Sequence, residues 1–223
     1  MEKRGVLITE GKDDLHVIAS LCKILNIPEI FTIKDVEGLD NILKVLPILL
    51  KFGKFKDADV DNIDRLGIVI DADTNIDNRW ASIREVFLDN NYTFPDNHDA
   101  SGIVTPHTTN IIPIVGVWIM PDNKRNGMIE DFFKHFIPPD DLLLPHVNTT
   151  LDQLNHEPFN YIPQPRSKAE IRTWLAWLKK SESLMGYALH NKKINWNYNN
   201  ELSNKFILWL QRLFEFELTR EGG

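Results

Sequence analysis

The run at residues 66–70, Leu-Gly-Ile-Val-Ile, stops abruptly at Asp71 and constrains the fold more than any other stretch of the chain. An apolar run without polar alternation describes a strand covered on both faces, which requires a sheet with helices on each side. Neighbouring segments agree. Residues 6–9 are short, mostly β-branched and bounded by Gly5 and Gly11, and residues 30–36 and 114–120 predict two further strands. Between them apolar residues recur at helical spacing, at Leu15, Ile18, Ala19, Cys22 and Leu25, then from Leu39 to Leu50, then at Trp80, Ile83, Val86 and Phe87. Pro47 is expected to kink or divide the second of these helices. A fourth helix is predicted over 128–136, and residues 53–65 and 90–110 read as loops rich in turn-forming or charged residues. Strands alternating with helices predict an α/β fold: an open parallel sheet of about four strands, joined by right-handed crossovers.

Beyond Pro138 the pattern is helical, with Trp174, Trp177, Leu178, Phe206, Trp209, Leu210 and Leu213 as expected core residues. The predicted organisation is an α/β core over residues 1–137 and a helical extension over 138–223 that packs on it. Cys22 is the single cysteine, so an internal disulfide and a structural zinc site built on cysteines are both excluded. A reduced, cytoplasmic setting is expected. The apolar run at 111–120 is broken by Pro113 and Gly116 and falls short of the roughly 18 residues of a membrane span. Residues 6–8 are likewise too few for a secretory signal core.

The formal net charge is -7, which excludes a chain-wide basic coat for gripping nucleic acid. Its distribution is uneven. Residues 161–193 hold seven basic side chains, among them Arg166, Lys168 and Arg172, against Glu170 and Glu182, a local balance of +5 that leaves -12 elsewhere. Such a segment is either a set of solvated helix faces or one wall of a phosphate-binding cleft.

In open parallel sheets ligands bind beyond the carboxyl ends of the strands, and the acidic residues fall there. The first strand ends in Glu10-Gly11-Lys12-Asp13-Asp14, the third in Asp71-Ala72-Asp73, and the last leads through Asp122 to Gly127-Met128-Ile129-Glu130-Asp131. Each cluster alone also fits a helix cap or an Asx turn. Together they concentrate repelling carboxylates at one edge, and a hard divalent cation with oxygen ligands is the usual compensation. Magnesium or manganese fits. Gly11 and Gly127 are expected to allow close backbone approach. Neither belongs to a phosphate-binding loop or dinucleotide fingerprint, so no nucleotide cofactor is expected. No Ser/His/Asp or Cys/His arrangement is apparent, and His16 and Cys22 read as packing residues.

The order of these elements resembles the TOPRIM fold shared by topoisomerases, bacterial primases and overcoming-lysogenisation-defect nucleases. The resemblance covers roughly residues 5–136 and rests on a strand ending in Glu-Gly followed by a strand ending in Asp-x-Asp. It implies that Glu10 is the family's glutamate and that Asp71 and Asp73 are its aspartate pair. Asp14 resembles the added carboxylate of the nuclease branch, Glu130 that branch's later glutamate, and Lys168 the lysine placed after the fold core. Thr74-Asn75-Ile76 after Asp73 departs from the topoisomerase signature, and strand-passage domains are not expected.

The implied activity is metal-dependent phosphodiester hydrolysis of DNA or RNA, with Glu10, Asp71 and Asp73 on one magnesium or manganese ion and Asp14 and Glu130 helping to hold a second. Glu10 would also move a proton, and Lys168 would neutralise charge on the phosphoryl group. Lys12 and Arg166 are weaker candidates for phosphate contact. Trp196 and Tyr198 suit base stacking or inward packing, the second being the commoner fate. The competing expectation is a non-catalytic nucleic-acid or polyphosphate-binding subunit beside a partner ATPase, in a setting such as phage defence. Nucleotidyl transfer is a lesser alternative.

Overall fold

The computed structural model describes residues 5–53, 63–105, 113–154, 165–179 and 184–218. Along the chain run β1 (Gly5–Thr9), α1 (Lys12–Ile24), β2 (Phe31–Asp35), α2 (Leu39–Phe52), β3 (Arg65–Asp71) and α3 (Ile76–Asp89). They are followed by β4 (Ile103–Thr105), β5 (Ile114–Met120), α4 (Ile129–Lys134), α5 (Leu143–Leu154), α6 (Arg166–Trp177), α7 (Met185–Ala188) and α8 (Glu201–Phe214). Most of the loop expected at 53–65 lies outside the described residues, as do residues 106–112.

The sheet has five strands in the order β2-β1-β3-β5-β4, with parallel pairing throughout except for β4, which runs antiparallel to β5. The sequence pattern predicts about four strands and a loop over 90–110, and β4 corrects both. Ile103, Val104 and Thr105 are all β-branched and suit an edge. Three residues are too few for a period of two to register. Of the two outcomes expected at Pro47, a kink or a division, the division does not occur, and α2 continues through the proline. Proline removes one backbone hydrogen bond, but Leu46, Leu49 and Leu50 are wholly buried around it and hold the helix to the sheet.

Alternate residues of each central strand face opposite sides, as strand geometry dictates. Val6, Ile8, Leu66, Ile68, Ile70, Val117 and Ile119 join α2 and α3 in one core. Leu7, Val69, Trp118 and Met120 join α1, α4, α6 and α8 in the other. Helices beyond residue 138 therefore complete, with α1 and α4, one covering layer of the sheet itself. Trp177 is the exception among the expected core residues, since it ends α6 with 47% exposure.

That layer approaches the sheet closely because of two glycines. Gly67 of β3 lies opposite Gly116 of β5. A Cβ at Gly67 would stand 2.3 Å from Leu7 Cδ1 and 3.0 Å from Leu213 Cδ2, and one at Gly116 would stand 2.9 Å from the same Leu213 atom. The pair thus forms a notch that receives Leu213 of α8. Trp196 packs inward, with its ring 5.7 Å from Phe133 and 5.8 Å from Trp174, and Tyr198 donates its hydroxyl to the Leu189 carbonyl.

Candidate functional site

Because β1, β3 and β5 are neighbours at the centre of the sheet, their carboxyl ends bring three acidic loops side by side. Asp71, the last residue of β3, donates its backbone N–H to Glu10 Oε2 at 3.1 Å. Its own carboxylate oxygen Oδ1 accepts the Ile129 N–H at 3.0 Å. One residue therefore links the glutamate after β1 to the start of α4, where Glu130 follows. Asp14 enters from the first turn of α1 and is 4% exposed; Glu130 is 3% exposed.

Burial raises all four groups, and each also feels at least one neighbouring carboxylate that raises it. Burial pushes the Asp71 carboxyl well above the usual carboxylate range, and the charges of Asp14, Glu10, Glu130 and Asp73 push it further. Asp14 is raised to about 7 by burial, with Glu10, Glu130 and Asp13 adding to the effect. Glu10 and Glu130 are raised, again chiefly by burial. Asp14 Oδ1 is buried with no hydrogen-bond partner. A Cβ at Gly11 would sit 3.3 Å from the other oxygen of Asp14, so the glycine leaves that carboxylate room.

Asp73 is held differently. Its φ of +49° lies in the left-handed region, and its backbone exchanges two hydrogen bonds with Gly127, Asp73 N–H to Gly127 O at 2.8 Å and Gly127 N–H to Asp73 O at 2.9 Å. Gly127 has φ +143°, and a Cβ there would meet Asp131 Oδ2 at 2.6 Å. That oxygen accepts the Met128 N–H at 2.9 Å. The Asp73 carboxylate forms an ion pair with Arg79 in the first turn of α3, and the Arg79 charge also draws Glu10 down against its burial.

Basic residues face the cluster from α6. The charges of Lys168 and Arg172, one turn apart, both favour the ionised form of Glu130, and Arg172 Nη2 lies 3.3 Å from Asp13 Oδ2. The helix is tied down by Glu170, which is 6% exposed and accepts Lys134 Nζ at 2.6 Å and Arg166 Nε at 2.7 Å. Burial pushes Glu170 up, but these two hydrogen bonds outweigh it and hold the carboxyl below its ordinary range. An open cleft of about 770 Å³ begins at Asp73 and Gly127 and runs past Lys134, Arg166 and Ser167.

Of the residues singled out from the sequence, Glu10, Asp14, Asp71, Asp73 and Glu130 lie at this one edge of the sheet, with Lys168 in electrostatic reach of Glu130. Arg166 lines the adjoining cleft, where Glu170 and Asp152 each hold it at 2.7 Å. Lys12 is solvent-exposed, 3.8 Å from Glu37. Sequence reasoning did not single out Arg79 or Lys134, and it named Glu170 and Arg172 only as members of the charged segment 161–193. The available signal was helical spacing: Arg172 lies one turn beyond Lys168, and Arg79 lies in the first turn after Asp-x-Asp.

Among the described residues no group of three or more Asp, Glu, His or Cys side chains stands arranged to hold a metal ion. The fit to a hard cation rests on chemistry instead. The donors are all oxygens, they repel one another, and one is a buried oxygen without a partner. No helix among the described residues is long and apolar enough to cross a membrane.

Fold and site together define an α/β protein whose five-stranded, mostly parallel sheet gathers carboxylates at the carboxyl ends of its central strands. Residues 4–215 match the model of a family described as "Protein of unknown function (DUF3226)", and the chain belongs to that family. No curated protein and no solved structure matches the chain.

Proposed function

We propose that the protein is a metal-dependent phosphodiester hydrolase acting on nucleic acid, built on a TOPRIM-like sheet. One observation carries this reading: Glu10, Asp14, Asp71 and Glu130 are gathered beyond the ends of three strands despite burial and repulsion, and Asp14 Oδ1 is left without a partner. An uncompensated cluster of this kind is destabilising by itself, and a divalent cation is the simplest partner that reverses the sign.

Glu10, Asp14, Asp71, Asp73 and Glu130 would hold magnesium or manganese, which when bound polarises a phosphoryl oxygen and lowers the pKa of a bound water. The chain's own groups then have distinct tasks. The Ile129 N–H fixes one oxygen of Asp71, and the Asp71 N–H fixes one oxygen of Glu10, so both carboxylates are pre-oriented. Glu10, held above its ordinary pKa, is suited to take a proton at its second oxygen. Lys168 would neutralise charge developing on the phosphoryl group.

The test is incubation of the purified protein with labelled single- and double-stranded DNA and RNA in magnesium, manganese or chelator, beside an Asp71→Asn/Asp73→Asn variant. Metal-dependent shortening of one substrate, absent in the variant, is the expected result. Absence of cleavage with intact metal-dependent binding would support the second reading, a non-catalytic binding subunit working with a partner ATPase.

A further inference from the structure

Of the five clustered carboxylates, Asp73 is the one that forms a salt bridge to a basic side chain among the described residues, and that partner, Arg79, is built in with some care. The turn that carries the chain from Asp73 to Arg79 is fixed from two sides. Asn75 caps α3 by accepting the Asn78 N–H at 2.9 Å. Asn126, from the loop after β5, accepts the Ile76 N–H at 3.0 Å and donates to the Thr74 carbonyl at 2.7 Å. The Arg79 side chain is then 21% exposed beside an Asp73 side chain that is 38% exposed.

The contact between them is one-pronged, joining Nη2 to Oδ2. An arginine devoted to one carboxylate commonly engages it with two parallel N–H groups, and a guanidinium has five N–H donors in all. Among the described residues no other hydrogen bond engages the Arg79 guanidinium, which keeps donors for a second anion while its position is set by the first. Its charge also reaches Glu10, so it stands at the side of the cluster formed by β1 and β3. Lys168 and Arg172 stand beside Glu130 and Asp13. Two cationic flanks around an acidic centre suit a ligand whose anionic groups lie beside, and not only on, a bound cation.

We infer that Arg79 is a substrate-binding residue that grips a phosphate of the polynucleotide chain while Asp73 orients its guanidinium. This deepens the reading of the site as a phosphodiesterase and rests on it. An arginine that merely steadied Asp73 would matter for the metal and for the substrate equally; one that grips phosphate separates the two.

Two measurements on the full chain distinguish these cases. The first is Mn2+ binding by calorimetry. The second is fluorescence anisotropy of a short fluorescein-labelled oligothymidylate or oligouridylate in Ca2+, with wild type, Arg79→Gln and Arg79→Lys. Arg79→Gln is expected to weaken oligonucleotide binding about 10-fold, the loss of one charge-assisted hydrogen bond, and to leave Mn2+ binding unchanged or tighter because a positive charge has gone. Arg79→Lys should recover part of the oligonucleotide affinity. Unchanged oligonucleotide affinity in Arg79→Gln, or equal losses for Mn2+ and oligonucleotide, would overturn the inference. Wild type that binds Mn2+ but neither oligonucleotide overturns the phosphate role alone, whereas wild type that binds no Mn2+ sinks the phosphodiesterase reading and this inference with it.

Discussion

Asp73 and Gly127 are joined backbone to backbone by two hydrogen bonds, 2.8 and 2.9 Å long, that bridge the loops leaving β3 and β5. Both residues have positive φ, and only one of them is glycine. Gly127→Ala would put a Cβ 2.6 Å from Asp131 Oδ2 at a φ that alanine rarely adopts. The expected loss of stability is roughly 1–3 kcal/mol, read from urea unfolding, with cation binding weakened as well because Asp73 is held by the same bridge. A variant as stable as wild type would show that the loop relaxes around the new atom.

The carboxylate cluster sets a pH dependence whose sign is the reverse of ordinary acid denaturation. Asp14, Asp71, Glu10 and Glu130 have folded pKa values above their unfolded ones, so the folded protein binds protons more tightly, and stability is lost as pH rises. For Asp14 that loss develops between about pH 4 and the folded value of about 7, and amounts to no more than about 4 kcal/mol. Glu170 and Asp122 are lowered and act oppositely, their contribution disappearing as pH falls through their folded values. In chelator, thermal unfolding should thus show a maximum on the mildly acidic side and a fall towards pH 8. Added magnesium should raise the melting temperature more at pH 8 than at pH 5, and an equal rise at both would argue against these carboxylates as its ligands.

Asp71→Asn offers a direct separation of stability from function. The amide oxygen can still accept the Ile129 N–H, while the repelling charge is removed. In chelator the variant should be more stable than wild type by about 1–2 kcal/mol, yet bind divalent cations at least about tenfold less tightly. Calorimetric titration and chemical denaturation check the two halves independently.

Glu170 is a buried acid whose two partners come from different places, Lys134 from α4 and Arg166 from its own helix. Glu170→Gln keeps the volume but leaves Lys134 without its counter-charge. A destabilisation of roughly 1–3 kcal/mol is expected, together with faster amide exchange in α6, the helix that presents Lys168 and Arg172. Exchange unchanged in α6 would show that Ile171, Trp174 and Leu175 alone hold the helix.

The central sheet was legible because strands buried on both faces write themselves as apolar runs, and the acidic loops were legible because such runs end abruptly, as 66–70 does at Asp71. What the pattern lacked was distance. Arg79, Lys134, Glu170 and Arg172 acquire roles only through partners supplied by the turn at Asp73 or by other helices, and nothing in local spacing reports that α4 and α6 cross. β4 escaped because three residues carry no measurable period, and the continuity of α2 through Pro47 because tertiary burial overrides a local breaker.

The glycine notch on the sheet has a consequence for the order of folding. Leu213 fills a depression made by Gly67 and Gly116, and α8 also covers Trp118 on the same face. Until residues 201–214 have been synthesised, that face of β3 and β5 has no cover from α8, however complete the acidic edge appears. The strands that carry the carboxylates thus depend for part of their cover on residues remote in sequence, so the face beneath the site is completed by long-range contacts and not by its own neighbouring helices alone.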